Sequence, residues 1–591
     1  MTTTLHGRTN KRWRFLPHDA DRIGRLEQTA GVSPIVAQLL IGRGVYDGDA
    51  ARLFLDAKLT GLRDPDLLPG ASDAADRVYA AIQARRKIVV YGDYDADGIT
   101  GTAILLSCFK LLGADVTYYV PNRLEEGYGL NAAALRSLAE RGASLVVSVD
   151  CGIASLEEAA LAREIGLELI VTDHHEFASC LPDAAAIVHP RLPGHTYPFG
   201  GLCGAGVALK LAWAICQRAS QAKRVSEPLR NFLMSAVGLA AIGTVADVVP
   251  LVDENRILVR HGLNVLKSMP PLGLELLMQA AKLHEKPTLG CEDIGFGLAP
   301  RLNAAGRFGQ AQLAVELLTT DSRERAGQLA EYLNELNGSR DSLERSIQLA
   351  AAKQLKEQFD PEGDAAIVLA GRGWHAGVIG LVAGRLADKY HRPVVMISLD
   401  SLGIKPGVGS GRSPNGLNLH TALAACSEHL LGYGGHAAAA GLKIEESRVD
   451  AFRAAFCEHA ASEESGAIKV GEIRIDAEAP FCQLTTEIVR QIESLAPFGC
   501  GNPRPVLCAT GVRLAEPPKK MGATEKHLSL KLEQQQTRIR GVAFGLAEWA
   551  EELAAQTAPL DIAYRPVIND FRGRQSVELH LVDWRVSQVA S

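Results

Sequence analysis

The run Tyr91-Gly-Asp-Tyr-Asp-Ala-Asp-Gly98 sets Asp93, Asp95 and Asp97 at alternate positions behind the apolar stretch Ile88-Val-Val90. A β-strand feeding a glycine-terminated turn would gather these acids at its C-terminal end. Anions that close repel one another unless a positive charge neutralises them. A hard divalent cation, which takes carboxylate oxygen, is the usual answer. A single Asp-x-Asp reads as an acidic surface turn; here the arrangement is completed further downstream.

Two more apolar runs end in residues able to ligate a metal. Leu145-Val-Val-Ser-Val149 runs into Asp150, and Leu167-Glu-Leu-Ile-Val-Thr172 runs into Asp173, His174 and His175. Between them, Ser155 to Ile165 has a helical pattern, with Ser155 as N-cap and Glu158 three residues on. Strand, helix, strand at this spacing is a βαβ unit, so the strands are expected to be parallel. In an open parallel sheet, ligands bind outside the carboxyl ends of the strands. Each piece has a plainer meaning alone, Asp150 as a helix cap and the histidines as solvated loop residues, but all fall on one rim. Asp247, after Ala240-Ala-Ile-Gly-Thr-Val-Ala246, is a weaker candidate by spacing.

With these motifs the chain resembles the DHH phosphoesterase superfamily and, within it, the RecJ family of bacterial single-strand-specific exonucleases. Further stretches of that type are Pro121–Asn131, Gly243–Leu251, Pro300–Arg307, Gly409-Ser-Gly-Arg-Ser413 and Gly434–Gly441, so the resemblance covers roughly 75 to 585. It raises Asp247 to a ligand. The set it implies is Asp93, Asp95, Asp97, Asp150, His174 and Asp247 around two divalent ions, Mn²⁺ ahead of Mg²⁺. Such a pair would lower the pKa of a water and stabilise both oxygens of an in-line displacement at phosphorus. His175 is expected at the scissile phosphate or leaving oxygen as donor or general acid, with Asp173 orienting a histidine. By residue type alone, His174 and His175 could exchange roles. The resemblance further implies that Arg123, Arg307, Ser410 and Arg412 hold the 5′ end of the strand, with His436 a further contact and Tyr128 a stacking surface for a base. Polarity, 5′ to 3′, follows from the resemblance only, as do roles in recombination and mismatch repair beside a single-strand-binding protein and a helicase.

The expected fold is α/β, organised as an N-terminal lead-in packed on the catalytic core (1–75), a parallel-sheet DHH domain (76–310), a long connecting helix (311–361) with a break at Asn337-Gly338, a second α/β domain (362–460) and a C-terminal OB-like β-barrel (470–585) that binds nucleic acid. A chain of 591 residues needs several cores. Its 47% hydrophobic and 22% charged content is that of a globular protein. No apolar run is read as a membrane span, and the basic residues Arg8 to Arg14 lack a following signal core, so the protein is expected in the cytoplasm; a monomer is expected. Eleven cysteines without a CxxC pair speak against disulfides and structural zinc, with Cys151 and Cys203 read as buried small hydrophobes.

A net charge of −6 is unusual for a nucleic-acid partner. The metal-binding acids account for part of it, and a local basic track suffices; Arg513, Lys519, Lys520, Lys526, Lys531, Arg538 and Arg540 offer one. Length and this track argue against a small-substrate phosphatase, an oligoribonuclease or a cyclic-dinucleotide hydrolase with the same metal set. A non-catalytic DNA-binding scaffold would have lost ligands, which are all present. A dinucleotide-dependent oxidoreductase lacks its Gly-x-Gly-x-x-Gly after the first strand.

Overall fold

The computed structural model describes residues 8–9, 11–177, 180–360, 363–414, 416–463, 471–571 and 573–587. The expected domain edges at 361–362 and 470 lie outside the described residues. The chain divides into two compact units, one of Met1–Leu62, Pro250–Arg260 and Val470–Ser591, the other of Arg63–Val249 and His261–Lys469.

The second unit is built on a five-stranded parallel sheet. Its spatial order is Val116–Tyr119, Ile88–Gly92, Leu145–Val149, Glu168–Thr172, Ala186–Val188. The three central strands are apolar because helices cover both faces. On one side Leu135, Leu138, Ala159 and Ala162 pack on Val89, Tyr91, Val146, Leu169 and Val171. On the other lies Ala96–Leu111, buried along nearly its whole length, against helices Gly204–Ser220 and Glu227–Ala246. The chain reverses its direction of winding between Ile88–Gly92 and Leu145–Val149. That is the switch point at which an open α/β sheet leaves a crevice at its carboxyl edge.

Three local expectations change. The helix after Asp150 begins at Leu156; Ser155 takes the N-cap position, but its side chain makes no capping bond. The connector is not broken at Asn337-Gly338. Ala311–Thr319 ends first, and Ser322, whose hydroxyl accepts from Arg325 N–H, starts an unbroken helix Arg323–Gln358. Glu227–Ala246 does have the length and apolar composition that a membrane span requires, contrary to the reading above. Leu239 to Thr244 are buried in the unit's interior.

The second sheet of this unit is mixed: Gly432–Gly435, Ala439–Ile444, Gly407–Arg412, Val394–Leu399, Ile367–Arg372 in spatial order. Only the last two strands are parallel, and they are joined by helix Ala376–Tyr390.

The first unit holds a seven-stranded sheet, in which pairing of Leu507–Leu514 with both Leu560–Phe571 and His527–Gln534 closes a ring of strands. This is the OB-like barrel. The first sixty residues build its core rather than serving as the lead-in expected on the catalytic domain. Leu26, Val36, Leu39 and Leu40 share one apolar cluster with Leu507, Leu528 and Leu579, and Arg12–Phe15 pairs in parallel with Glu472–Ile475. Buried Asp583 anchors this N-terminal strand, accepting from Trp13 Nε1 at 2.8 Å, Thr9 N–H at 3.1 Å and Thr9 Oγ1 at 3.0 Å. Asp583→Ala leaves these donors without their acceptor and should cost about 3 kcal/mol. Hydrogen exchange should then accelerate at 12–15 and 472–475 while strands 88–92 and 145–149 stay protected.

Candidate metal centre and phosphate site

Each acid reaches the carboxyl edge by a separate device. Asp93 directly follows the first strand and is buried. Asp95 caps helix Ala96–Leu111, its Oδ1 accepting from Asp97 and Gly98 N–H at 2.9 and 3.1 Å. Asp97, in the helix's first turn, is gripped by a second helix start: Gly204 N–H donates to Oδ2 at 2.6 Å and Ala205 N–H to Oδ1 at 2.9 Å. Helix N-termini favour negative charge. Asp150 has a left-handed backbone, φ 63, a conformation costly for a residue with a Cβ and concentrated at functional sites. Its neighbours must be small, since a Cβ at Gly204 would lie 2.6 Å from that of Asp150. Likewise, a Cβ at Gly243 would fall 2.4 Å from Asp97 Oδ1.

The expected ligand atoms converge. Three sets, Asp93/Asp95/Asp150, Asp97/His174/Asp247 and Asp150/His174/His175, each gather their ligand atoms within 4.8 Å. Asp150 and His174 are shared, so the sets form one array with room for a pair of ions. His174 Nε2 lies 3.1 Å from Asp150 Oδ1, 3.6 Å from Asp247 Oδ2 and 3.8 Å from Asp97 Oδ2. Despite that closeness, His174 Nε2, Asp150 Oδ1 and Asp93 Oδ1 are buried without a hydrogen bond. Polar atoms stranded in this way are costly, and all three are ligand atoms aimed into one space.

The electrostatics agree. Burial, then the neighbouring carboxylates, pushes Asp93 and Asp150 well above the ordinary carboxylate range, and burial raises Asp97. Asp247 rises to about 8 through burial and then Asp97. Burial lowers His174 to about 4, leaving the neutral imidazole that a metal requires. Divalent cations fit this donor set, oxygen-rich with one imidazole, and Mn²⁺ or Mg²⁺ suits it.

The two histidines differ in surroundings. His175 Nδ1 lies 2.8 Å from Asp173 Oδ1, which also accepts from the N–H groups of His174 and His175; Asp173 Oδ2 accepts from Ile153 N–H. Burial raises Asp173, but its bonds with His175 and Ile153 outweigh this and hold it at about 2. Burial works against the His175 cation, and Asp173 more than compensates, raising it to about 9.

A second cluster has the opposite sign. Arg307 is driven down to about 9 by burial and then by Arg123, Arg340 and Arg412. Arg307 Nη1 donates to Gly377 O at 2.9 Å, and Arg412 Nη1 to Gly411 O at 2.7 Å and Ser410 Oγ at 3.1 Å. The Arg123 guanidinium lies over the Tyr94 ring at 4.9 Å. Among the described residues, none of Arg123, Arg307 and Arg412 forms an ion pair with a carboxylate, although the acid centre carries many. Like charges held together without counter-ions suit an anion with several oxygens.

Tyr128 is 52% exposed, yet its hydroxyl is engaged, 3.0 Å from Asp150 O and 3.1 Å from His175 Nδ1. His436 is exposed in the turn after Gly432–Gly435, where its N–H donates to Ala439 O. Ala439 pairs with Arg412. Among the described residues nothing else joins His436 to the cluster. Part of the barrel's basic track is paired: Lys531 with Glu516 at 2.5 Å, Arg538 with Glu533 at 2.7 Å and Arg540 with Glu578 at 3.2 Å. Lys519 also faces Glu516, at 3.8 Å.

Sequence reasoning missed the residues that hold others. Asn303 Oδ1 accepts Ala96 N–H at 2.8 Å, pinning the acidic loop; only the arginine of its motif had been singled out. His189 Nε2 meets His175 O at 2.9 Å, and Arg191 Nη2 donates to His174 O at 2.6 Å. No local signal pointed to that pair. Cys203 is buried as expected, and it also caps helix Gly204–Ser220, its sulfur accepting Gly206 N–H.

Three family models match the chain: "DHH family, N-terminal domain" over 87–243, "DHHA1 domain" over 363–462 and "RecJ OB domain" over 475–583. The single-stranded-DNA-specific exonuclease RecJ of Bacillus subtilis is 37% identical, over 98% of this chain and 71% of its own length. The chain belongs to the RecJ family. RecJ from Thermus thermophilus, crystallised with Mn²⁺, superposes with a TM-score of 0.82 at 31% identity, over 98% of this chain and 80% of the other. The same protein with Mg²⁺ gives 0.74 at 30% identity, over 98% and 79%. The chain is thus a metal-dependent exonuclease whose acid and histidine array fits the ions found in its relative.

Replacing a repelled carboxylate by its neutral isostere tests the centre without catalysis. Asp150→Asn should melt a few degrees above wild type in chelator, because one buried charge is gone. It should lose most of the rise in melting temperature that Mn²⁺ gives the wild type.

Proposed function

We propose that this chain degrades single-stranded DNA from its 5′ end, 5′ to 3′, releasing 5′-mononucleotides by two-ion hydrolysis. The observation that carries this reading is the pairing of opposites: a buried acid and histidine array with stranded ligand atoms, and an arginine cluster free of carboxylates. The first suits two divalent ions, the second a phosphate next to the one being cut.

When bound, two divalent ions activate a water and stabilise the attacking and leaving oxygens of an in-line displacement. Asp95, Asp97, Asp150, His174 and Asp247, with Asp93, hold them. Asp97 keeps its place through Gly204 and Ala205 N–H. Asp173 fixes His175 through Nδ1, leaving Nε2 as the atom that donates to the scissile phosphate or the leaving oxygen. Arg123, Arg307, Ser410 and Arg412 bind the 5′ phosphate, with His436 at the rim. Tyr128 presents its exposed face to a base.

The proposed domains are a DHH domain (76–310), a connector (311–361), a DHH-associated domain (362–460) and a nucleic-acid-binding OB domain (470–585); the matches over 87–243, 363–462 and 475–583 support them. We infer a monomeric, cytoplasmic enzyme of recombination and mismatch repair, working beside a single-strand-binding protein and a helicase, from the name and kind of its relatives.

The test is digestion of end-labelled single-stranded DNA with Mn²⁺. Wild type should release mononucleotides from the 5′ end, and Asp150→Ala should slow this at least about a thousandfold. Binding without cleavage by wild type would favour a scaffold, and cleavage of dinucleotides only would favour a small-substrate hydrolase. Arg307→Ala should cost roughly tenfold to a hundredfold in kcat/KM. Its effect should shrink on strands lacking the 5′ phosphate.

A further inference from the structure

Phe296 is 82% exposed, an unusual position for a phenylalanine. It lies mid-way along Ile294–Leu298, a π-helical turn, and such turns recur at functional sites. Glycines flank it on both sides, and the one at 297 lets the turn seat closely. A Cβ at Gly297 would meet Leu283 Cδ1 at 2.9 Å, and one at Gly295 would lie 4.0 Å from Val245 Cγ1. The neighbours pack inward and the ring between them is left in solvent.

Its surroundings belong to the reaction centre. Val245, beside Gly295, is two residues from Asp247 on helix Glu227–Ala246 and its cap. Val248 N–H donates back to Val245 O. Val248 is a β-branched residue at φ 58 and is 66% exposed. That backbone region strains a β-branched side chain, and strain of this kind collects at functional sites. Val248 is thus exposed next to Asp247 in the chain, and Phe296 follows the glycine that abuts the same helix end; such side chains offer a phosphate nothing to bind, but they suit the face of a base.

The π-turn continues without interruption into helix Ala299–Arg307. Along this one rod lie Phe296, then Asn303, which pins the acidic loop, then Arg307 of the phosphate cluster. Phe296 is eleven residues before Arg307 in the sequence, about 16 Å at the helical rise, a reach of a few nucleotides. The acid array lies along the same rod, at the level of Asn303.

We propose that Phe296 is a stacking platform for a base of the strand a few nucleotides beyond the 5′ phosphate. It would hold the part of the substrate not yet cut. This rests on the exonuclease reading above and adds to it a residue that would favour long strands over short ones. Base–aromatic stacking tolerates any sequence, because every base has a π-face.

The experiment measures KM and kcat of the full-length protein with Mn²⁺ on 5′-phosphorylated oligonucleotides from two to twelve nucleotides long. For wild type, KM should fall as length passes the reach of Phe296. Phe296→Ala should raise KM on the long substrates roughly tenfold, the loss of one stacked base, with a smaller change in kcat. The slope of log KM against log salt should stay the same, because no phosphate contact is lost. Phe296→Trp should restore the low KM, which a merely structural role would not produce. If Phe296→Ala matches wild type at every length, or Phe296→Trp is as poor as Phe296→Ala, the platform is refuted while the exonuclease reading stands. If wild type degrades no oligonucleotide, it is the exonuclease reading that fails.

Discussion

Four carboxylates, Asp93, Asp97, Asp150 and Asp247, are buried or mostly buried around one imidazole, and much of the catalytic unit follows from making that tolerable. Water cannot reach these oxygens well enough to solvate four charges, and at such distances in a medium of low polarity mutual repulsion is severe. The fold answers with partial positive charge. The start of helix Gly204–Ser220 spends two backbone N–H groups on Asp97, and the start of helix Ala96–Leu111 is capped by Asp95. Asp173 shows what full satisfaction does: with three backbone N–H donors and a histidine it titrates near 2. The others lack that many donors, and their remaining lone pairs call for cations. The same consideration explains Gly204 and Gly243, where a single methyl would push the acids out of reach of their donors.

The arginine cluster is the complementary case. Arg307 is buried beside other guanidinium groups and held by a carbonyl rather than a carboxylate. The acids could have paired with these arginines, and a self-neutralised site would bind neither metal nor phosphate. Fixing each sign to its own scaffold prevents this. Helix Ala299–Arg307 ties the two together: Asn303 grips the acidic loop and Arg307 reaches Gly377 O of the second α/β layer. The spacing between the acid array and the arginine cluster is thereby set by one helix, and the close seat of Gly377 against Arg307 O, where a Cβ would come within 2.4 Å, holds the second layer to it.

The parts of the site legible in the sequence were those encoded by local pattern. Three apolar runs ending in acid or histidine were enough to place Asp93, Asp95, Asp97, Asp150, His174 and His175 on one edge, because a parallel sheet leaves little choice. Asp247 stands at a helix end, where no strand pattern announces it, and needed the family resemblance. Contacts between distant residues had no local signal: Gly204 and Ala205 lie over a hundred residues from Asp97, and Asn303 over two hundred from Ala96. The connector break was misjudged at Asn337-Gly338 because a glycine inside a long helix costs only about 1 kcal/mol, which the packing of 36 residues overrides. The first sixty residues were assigned to the wrong core, since an amphipathic helix shows that it packs but not against what.

The barrel's charge pattern bears on how a single strand would be held. Had Lys531, Arg538 and Arg540 been free, binding through this domain would be dominated by counter-ion release and would collapse as salt rises. Each instead faces a glutamate of the same domain. Exposed pairs of this kind contribute little to stability, but they spend part of the track's positive charge within the domain, in a protein of net charge −6. Arg123, Arg307 and Arg412 are a fixed group of cations without carboxylate partners among the described residues, and the proposed ligand there is one terminal phosphate. Such a distribution rewards a chain end over a chain interior: an internal phosphate offers fewer free oxygens to three guanidinium groups than a terminal one does. An exonuclease needs that asymmetry, and here it follows from where the arginines lack partners rather than from how many basic residues the chain contains.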